Sequence, residues 1–529
     1  MAVRRHSLII FFAFACLPAC LAAQGSADIP LGDNAYVYLD ALLARGAMRS
    51  LSALERPYNV REINRALAHE MPAHLSPVIQ SYVRALRRAL SKYDVDKQPG
   101  LHYQLSLDVY GTAESSSIRE LMRANTSGNV EPGGGAEGVI QAGPLTAVAH
   151  PIWDGRLNVD PEYHLQGGQI TQGRADPLRL QEGYLDARWR YGEIFIGREG
   201  RNSGPTMYDG LLLGNYTYSY DHIWAKIGIP QLNMQTLVTR LNDEFFFGDT
   251  TVQRYFSWHR LSSHIGTVEL GVSESIVYGR PGQSFDLHYV NPFGLYYFSE
   301  INEEQGGANA NKMVGLDGAW RSPVGNFSFE AYLDDIQAFG GCGGAMAPVC
   351  KKPPSGGWTL QADGIPFVGD QRLFFAYTLV TNLSYRTYEQ PWTDYTSYGI
   401  GLGRGFSDYD EVRAGVDLAV IPEVPLKVYG AFSRQGQGDY RIPFPPVDSF
   451  PTTPTFLSGI VSHVYRAGVS GAVSLPWLDV SGDIGLNHVS NYEHVVGVDK
   501  NLFAGRVMVS LTWRRLLKGT FQPAPEPPE

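Results

Sequence analysis

The sequence lacks long apolar runs and is poor in charged residues. After the first 23 residues, no stretch reaches the roughly 18 consecutive apolar residues that indicate a transmembrane helix, so none is predicted. Charged residues make up 18% of the chain, below the usual quarter, and no basic patch accompanies the formal net charge of −10. The composition therefore gives no indication of nucleic-acid binding.

Cysteine is also scarce, with four residues in the whole chain. Cys16 and Cys20 lie in the N-terminal segment, which leaves Cys342 and Cys350 close together in a chain that is predicted to be exported. We therefore predict one small disulfide loop between Cys342 and Cys350. Their surroundings, GGCGGAMAPVCKKPP, lack the further cysteines and histidines of a metal site. We expect no metal and no cofactor.

The N-terminus has the pattern of a secretory signal peptide over residues 1–23. Arg4 and Arg5 precede an apolar core from Leu8 to Ala15, and small residues lead to a cleavage point near Ala23. The sequence LPAC, which ends at Cys20, resembles a lipoprotein box, so lipidation of this cysteine stays open. An exported chain rich in glycine and tyrosine is either a large secreted β-protein or an outer-membrane barrel.

Residues 28–97 show the spacing of three helices. Asp33 is a candidate cap for the first helix. Asn59, followed three residues later by Glu62, resembles a capping box for the second. Ser76 and Pro77 form a start signal for the third. Each helix has only a narrow apolar stripe, so we expect this helical head to pack against another part of the chain.

Apolar and polar residues alternate from residue 101 to residue 514. A soluble sandwich would show the same period, but several strands reach the length that a membrane strand needs, and carboxylates and arginines recur on the non-apolar face. We therefore predict a mainly β fold: an antiparallel transmembrane β-barrel of about eighteen strands that is preceded by the helical head. Residues 515–529 are predicted to be a disordered tail.

Loop lengths support this barrel, because outer-membrane barrels have short periplasmic turns and long outer loops. Short links such as IPEVP and SLPW alternate with long links, and an even strand count places both chain ends in the periplasm. The eighteen predicted strands include 138–150, 155–166 and 396–406. The register is uncertain near YEQPWTDYTS, which is too long for a periplasmic turn.

The stretch GREGRNSGP, Gly197 to Pro205, follows the strand-like run EIFI. The short YG link before this run predicts that the strand points outward, so GREGRNSGP lies at the outer mouth or folds into the pore. Arg198, Glu199 and Arg201 are candidates for binding an acidic glycan, because guanidinium groups bind carboxylates bidentately. The alternative is a structural network that holds a loop in place.

A second glycine-rich stretch, YGIGLGRG, places Gly399, Gly401, Gly403 and Gly405 on one face of a strand. It does not match the dinucleotide-binding fingerprint, and no helix follows it. We interpret it as a close approach of another backbone, either the helical head or an infolded loop.

The segments IPLGDNAYVYLDALLARGAM (29–48), RPYNVREINRAL (56–67) and GREGRNSGP…LLLGN (197–215) resemble the Wzi family of outer-membrane capsule-assembly proteins. The resemblance covers the head and the barrel. It implies an eighteen-stranded barrel plugged by a periplasmic helical bundle, and a lectin-like role in holding capsular polysaccharide or exopolysaccharide at the cell surface. Asn202 and Ser203 stand where the family is expected to have bulkier aromatic residues.

The predicted function is therefore a monomeric outer-membrane barrel that binds an acidic surface polysaccharide. An outer-membrane porin or glycan channel is the alternative. No catalytic residues are predicted, because GVSES is not a nucleophile elbow. The candidate glycan-binding residues are Arg198, Glu199, Arg201, Glu274, Asn291 and Tyr297. Tyrosines such as Tyr297 are equally typical of the aromatic girdles at membrane interfaces.

Overall fold

The computed structural model describes residues 25–94, 100–115, 129–163, 178–247, 250–282, 284–296, 310–334, 352–388 and 390–521. The predicted signal peptide, Tyr297, Cys342 and Cys350 lie outside these residues. The predicted cleavage, the predicted disulfide and the possible lipidation of Cys20 therefore remain predictions.

Eighteen antiparallel strands form one closed barrel, as predicted. The first strand pairs with the second and also with the last, which closes the wall. The strands are β1 Leu101–Glu114, β2 Asn129–Ala142, β3 Leu145–Asp154, β4 Leu178–Trp189, β5 Gly192–Glu199, β6 Tyr220–Ile229, β7 Leu232–Arg240, β8 Thr250–Ile265, β9 Val268–Arg280, β10 Ala310–Ser322, β11 Gly325–Asp334, β12 Ser355–Pro366, β13 Arg372–Val380, β14 Tyr409–Ile421, β15 Val424–Gln435, β16 Ser462–Ser474, β17 Leu478–Ser490 and β18 Lys500–Phe521.

The two ends of the barrel differ in their connections. Eight connections of two to five residues lie at one end, which we call the short-turn end. The longer connections lie at the opposite, long-loop end. Along each strand the side chains alternate between the lumen and the outer surface. In β5, for example, Ile194 and Ile196 point outward with more than half of their surface exposed, whereas Phe195 is fully buried in the lumen. This pattern is typical of barrels that face lipid.

The predicted strand count is correct, although three predicted strands were misplaced and two wall strands were missed. The predicted strand 138–150 spans the turn between β2 and β3, and 155–166 begins with a 3₁₀ helix, Gly155–Asn158, that is capped by Asp154. β2 was missed because its glycine-rich start looks like a loop. The predicted strand 396–406 folds into the lumen, and β12 was missed because Gly356 and Gly357 hide its alternation.

The C-terminal boundary also needs correction. The last strand continues to Phe521, so the predicted tail from residue 515 starts too early. The final residues of β18 pair with the first residues of β1, and Phe521 lies opposite Leu101. Tyr103 stacks on Phe521 with the ring centroids 5.5 Å apart. The pairing between the first and last strands therefore extends to Phe521, through backbone pairing and one ring contact.

Three helices precede the barrel: α1 Ala35–Leu43, α2 Val60–His69 and α3 Pro77–Leu90. Two of the predicted caps are confirmed. Asn59 accepts a hydrogen bond from the Arg61 amide, and Ser76 accepts one from the Ile79 amide. Among the described residues, no helix is long and apolar enough to cross a membrane.

The helical head lies in the barrel at the short-turn end. Arg45 of the head pairs with Asp417 of β14 at 2.9 Å, and Arg88 pairs with Glu423 in a short turn at 3.2 Å. Arg321 of β10 donates to the Arg49 carbonyl at 2.6 Å. The apolar core of the head continues into lumen side chains of the wall. These contacts seat the head against several sides of the wall.

Candidate functional site

The stretch GREGRNSGP turns into the lumen immediately after β5. Asn202–Ser203 pairs as a short antiparallel ladder with Glu55–Arg56 of the head, and the Gly204 amide donates to the Leu54 carbonyl at 2.8 Å. Gly204 has φ +144°, and a Cβ atom there would lie 2.2 Å from the Glu330 carboxylate. A glycine is required at this point, and the connection 200–219 is thereby joined directly to the head.

Glu55 anchors the head side of this ladder. Its carboxylate accepts hydrogen bonds from Lys226 Nζ at 2.9 Å and from Arg260 of the wall. Burial raises the pKa of Glu55, but Lys226 and Arg260 outweigh this effect and lower the pKa to about 2. The residue is therefore ionised at neutral pH and pairs with cations from two barrel strands.

The inner end of connection 200–219 is held by side chains of the wall and of another loop. Glu330 of β11 accepts a hydrogen bond from the Leu211 amide at 2.9 Å, and Tyr385 donates to the Leu211 carbonyl at 2.8 Å. A Cβ atom on Gly403 would lie 2.0 Å from the same carbonyl, and one on Gly405 would meet the Tyr216 ring at 2.2 Å. The predicted close approach of an infolded loop to this glycine stretch is confirmed at these two positions. Gly399 has open space around it.

Arg201 lies inside the lumen and is 8% exposed. It contacts Glu199 at 3.1 Å, donates from Nε to His222 at 3.0 Å, and lies over the Trp224 ring at 4.2 Å from the centroid. The guanidinium group and the Glu199 carboxylate are thus used within the protein. This geometry matches the alternative interpretation, in which these charges hold the loop in place.

Arg198 lies on the opposite face of the wall from Glu199 and Arg201. It points outward and pairs with Asp221 at 2.7 Å, where the Asp221 side chain is 70% exposed. The ladder of β5 continues to Glu199, so strand alternation separates neighbouring side chains. The structure therefore does not bring Arg198 and Arg201 into one site.

Glu274 and Asn291 lie outside the lumen. Glu274 points outward from β9 and accepts a hydrogen bond from the Tyr296 amide at 2.9 Å. Asn291 is exposed in the following connection, where its side chain accepts from the Phe293 amide at 3.1 Å. Both residues lie across the wall from Arg201.

The lumen contains a groove of about 430 Å³ that the sequence did not reveal. We call it the lumen groove. Gly200, Asn215 and residues 217–219 of the infolded connection form one side, and strands β1, β3, β4, β17 and β18 form the other. It extends from Arg156 and Arg179 near the long loops to Asp33 and Lys92 of the head. The same connection that was singled out in the sequence thus forms part of a ligand-sized space.

Most cations that line this groove have a carboxylate partner in the described structure. The pairs are Lys92 with Asp33 at 2.7 Å, His150 with Glu182 at 2.7 Å, Arg156 with Asp154 at 2.5 Å, Arg506 with Glu114 at 2.5 Å, and Arg514 with Asp479. They neutralise the walls and fix their side chains, so they offer little charge to a ligand.

Arg179 differs from these cations. Among the described residues, no carboxylate lies within ion-pair distance of its guanidinium group, and its buried Nε has no hydrogen-bond partner. It donates to the Ser219 hydroxyl at 2.7 Å and lies over the Tyr218 ring at 4.7 Å. A guanidinium beside an aromatic ring and a hydroxyl is suited to a sugar carboxylate. The sequence could indicate Arg179 only as a lumen-facing arginine at the start of a strand.

A second space of about 310 Å³ lies on the other side of connection 200–219. Tyr208 projects into it, with Arg404 at 4.9 Å and Arg413 at 5.5 Å from the ring centroid. Arg413 also pairs with Glu411 at 2.8 Å, and Arg404 donates to Thr359 at 2.7 Å. The infolded connection therefore borders two polar spaces of the lumen.

Within the described residues, one group of three carboxylates has the spacing of a cation site: Asp28, Asp186 and Glu193. Arg188 lies among them, with distances of 2.7 Å to Asp28, 2.5 Å to Asp186 and 3.2 Å to Glu193. The guanidinium group supplies the positive charge that these buried acids need. We interpret the group as a structural link between the head and the wall.

No known family model and no curated protein match the sequence. The fold is similar to that of Wzi from Escherichia coli, described as an outer-membrane protein involved in group 1 capsule assembly and as a carbohydrate-binding β-barrel. The TM-score is 0.59 at 12% identity, covering 93% of this chain and 99% of that chain. Weaker matches are OccAB4 from Acinetobacter baumannii, with a TM-score of 0.41 at 11% identity over 79% and 99% of the two chains, and Salmonella typhi OmpF, with 0.37 at 9% over 79% and 100%. The chain therefore shares the fold of outer-membrane β-barrels.

Proposed function

We propose that this protein is an outer-membrane barrel that binds an acidic surface polysaccharide at its long-loop end and retains it there without catalysis. In this proposal the short-turn end, with the head and both ends of the barrel, faces the periplasm. The fold shared with Wzi, which is described as carbohydrate-binding, supports the proposal.

The observation that carries the proposal is the environment of Arg179. The Arg179 guanidinium group has no carboxylate partner in the described structure. It lies beside Tyr218 and Ser219 at the end of the lumen groove that is near the long loops. A uronate would supply the missing anion, Tyr218 would pack against a sugar ring, and the polar walls would accept sugar hydroxyls. A charge-assisted hydrogen bond of this kind contributes about 1.5–3 kcal/mol.

The filled lumen favours retention of a ligand over its passage. The head lies at the short-turn end, and connection 200–219 crosses the lumen to pair with it. A polysaccharide chain that enters from the long-loop end therefore meets protein before it reaches the other side.

Binding of oligogalacturonate to the purified barrel, measured by calorimetry, tests the role of Arg179. Arg179→Gln should weaken binding at least about tenfold, because roughly 1.4 kcal/mol corresponds to one factor of ten. Arg198→Gln is the matched control, since Arg198 lies on the outer face of the wall. A neutral maltooligosaccharide should bind more weakly than the uronate and respond little to Arg179→Gln. Equal effects of the two substitutions would contradict the proposal.

A channel is the second candidate, and the length of the lumen groove favours it. The groove reaches from Arg179 to Arg514, which donates to the Leu475 carbonyl in a short turn. Conductance of the intact barrel in a planar bilayer separates the two functions. Retention predicts negligible current. A steady current that oligogalacturonate blocks would indicate a glycan channel instead.

A further inference from the structure

The connection that follows β9 folds against the outside of the barrel. Within its described part, residues 284–296, Tyr289 packs on Tyr278 with ring centroids 4.5 Å apart, and Tyr296 packs on His259 at 4.3 Å. These rings form a buried cluster with Tyr255 and Ile276 that is separate from the main core. We call residues 284–296 the outer flap.

Strand alternation establishes that the flap lies on the outer face. In β8, Arg254, Phe256 and Trp258 point into the lumen, where Arg254 donates to the Trp392 carbonyl and Trp258 stacks on Trp224. The intervening residues Tyr255, Ser257 and His259 must then point outward. His259 lies opposite Glu274 in the ladder, so Glu274 points outward too.

The polar pair beneath the flap lies at the depth of the apolar band. Glu274 is six residues from Val268, the first residue of β9 at the short-turn end. At about 3.4 Å per residue and a strand tilt of about 40°, this distance rises about 15 Å along the barrel axis, within an apolar band about 25 Å tall. In the same register, Glu274 pairs with Val314, which pairs with Leu333, and Leu333 is 58% exposed on the outer surface.

A carboxylate and an imidazole that face hydrocarbon are costly unless they are covered and paired. His259 Nε2 contacts Glu274 at 3.1 Å, and the Tyr296 amide of the flap donates to the same carboxylate oxygen. Both side chains are buried, at 4% and 9% exposure. The flap therefore shields His259 and Glu274 from the surroundings. At this position the outer surface of the flap, and not the strand surface, faces outward.

That outer surface is largely apolar. Leu287 is 76% exposed, Phe293 72% and Phe285 41%, and the polar residues between them include Asn291 and the contacting pair His288 and Asp286. We propose that the outer flap lies in the outer leaflet of the membrane, with Leu287, Phe293 and Phe285 among lipid acyl chains and the polar residues at the headgroup level. This inference rests on the membrane location in the proposed function.

Lipid is the occupant that the surroundings favour. The exposed side chains of the flap continue the exposed apolar wall below it, where Leu261, Leu270 and Val272 are each about half exposed. Because the flap surface is continuous with the lipid-facing wall, we expect the flap to contact the same lipid. A second copy of the chain is the competing occupant.

Fluorescence quenching in lipid vesicles tests the inference. Cys342 and Cys350 are replaced by serine, and an environment-sensitive dye is attached after Leu287→Cys or Phe293→Cys. Leu270→Cys, on the wall, is the lipid-facing control. Asp448→Cys, in an exposed part of another long loop, is the aqueous control. Nitroxides are carried by phospholipids at shallow and deep positions, and heat-modifiable migration verifies the fold of each variant.

The expected result is strong quenching of both flap dyes by the shallow nitroxide, weaker quenching by the deep one, and none at position 448. Quenching at position 270 without quenching at 287 and 293 would overturn the flap inference while leaving the membrane barrel intact. A blue-shifted but unquenched flap dye would indicate a second copy and would also overturn it. Absence of quenching at all positions, including 270, would contradict the proposed membrane location itself.

Discussion

Two long-loop connections of this barrel fold back on the wall, one on each face. Connection 200–219 enters the lumen, and the outer flap, residues 284–296, covers the outside. Each lies against a polar pair: connection 200–219 places its own Arg201 against Glu199 inside, and the outer flap covers His259 and Glu274 outside. The two faces differ in solvent, yet the same requirement applies, because a charge removed from water must be paired and hydrogen-bonded.

Connection 200–219 and the outer flap differ in the number and kind of contacts that hold them against the wall. The lumen connection is bound through backbone hydrogen bonds to the head, a wall carboxylate and glycine contacts. The outer flap relies on tyrosine rings and one amide bond to Glu274. We therefore expect the lumen connection to contribute more to global stability, and the flap to respond locally when its contacts are changed.

The largest effect is expected for Arg201→Ala. The substitution leaves Glu199 buried without its cation, which costs about 3–5 kcal/mol in the free energy of unfolding. Urea unfolding followed by heat-modifiable migration measures this loss. Arg198→Ala is the matched control and should cost at most about 1 kcal/mol, because its partner Asp221 is exposed. Equal losses in the two variants would contradict the assignment of Arg201 to a buried network.

Gly403→Ala should have an intermediate effect. Its new Cβ atom would collide with the Leu211 carbonyl, so the backbone of one of the two loops must move. Such overpacking costs about 1–3 kcal/mol. Limited proteolysis should show faster cleavage within residues 200–219. Gly111→Ala is the control, because no atom lies near the Cβ position of Gly111. Gly399→Ala would not serve, because Gly399 has φ +75°. Unchanged cleavage would show that the loops do not depend on this contact.

Glu274→Gln should have a smaller and local effect. The amide oxygen can still accept from the Tyr296 amide, but the contact with His259 becomes a neutral hydrogen bond, which costs roughly 1 kcal/mol. Hydrogen exchange of the Tyr296 amide should become faster, whereas oligogalacturonate binding should not change. Asn291→Ala, at an exposed position, is the control. A loss of glycan binding in Glu274→Gln would place the ligand on the outer face.

A dependence on pH is also expected, in the loop that contains Asp394. Burial raises the pKa of Asp394 to about 7, despite hydrogen bonds from the Thr387 amide and hydroxyl. The folded loop therefore holds a proton that the unfolded chain has lost, and its stability should fall as pH rises from about 4 to 7 and then level off. Hydrogen exchange of the Tyr395 amide, corrected for its intrinsic rate, measures this. Asp394→Asn should abolish the slope, and a slope that persists in this variant would assign it to another group.

The sequence predicted the architecture better than the individual strands. The alternation of short and long links predicted eighteen strands. The total was correct although β2 and β12 were missed, because residues 155–166 and 396–406 were counted in their place. Local capping rules worked at Asn59 and Ser76, since each cap depends on residues within three positions. Strand periodicity alone could not separate a wall strand from the lumen loop at 396–406, where the same alternation packs against other loops.

The candidate site was less predictable for a related reason. Arg198 and Arg201 are close in sequence, but the strand continues to Glu199 and places them on opposite faces. Arg179 was overlooked because its partners Tyr218 and Ser219 come from a distant part of the chain that only the infolded connection brings near. Glu274 was expected near the outer mouth, but it lies in the middle of β9 at the depth of the apolar band, and its outward direction depends on register with β8.

The pairing of Glu55–Arg56 with Asn202–Ser203 has a consequence for the order of assembly. This ladder lies inside a cylinder that becomes continuous only when β18, at the C-terminus, pairs with β1. The two partners of the ladder enter this cylinder from opposite ends, the head from the short-turn end and connection 200–219 from the long-loop end. The ladder therefore forms only after both segments have folded inward.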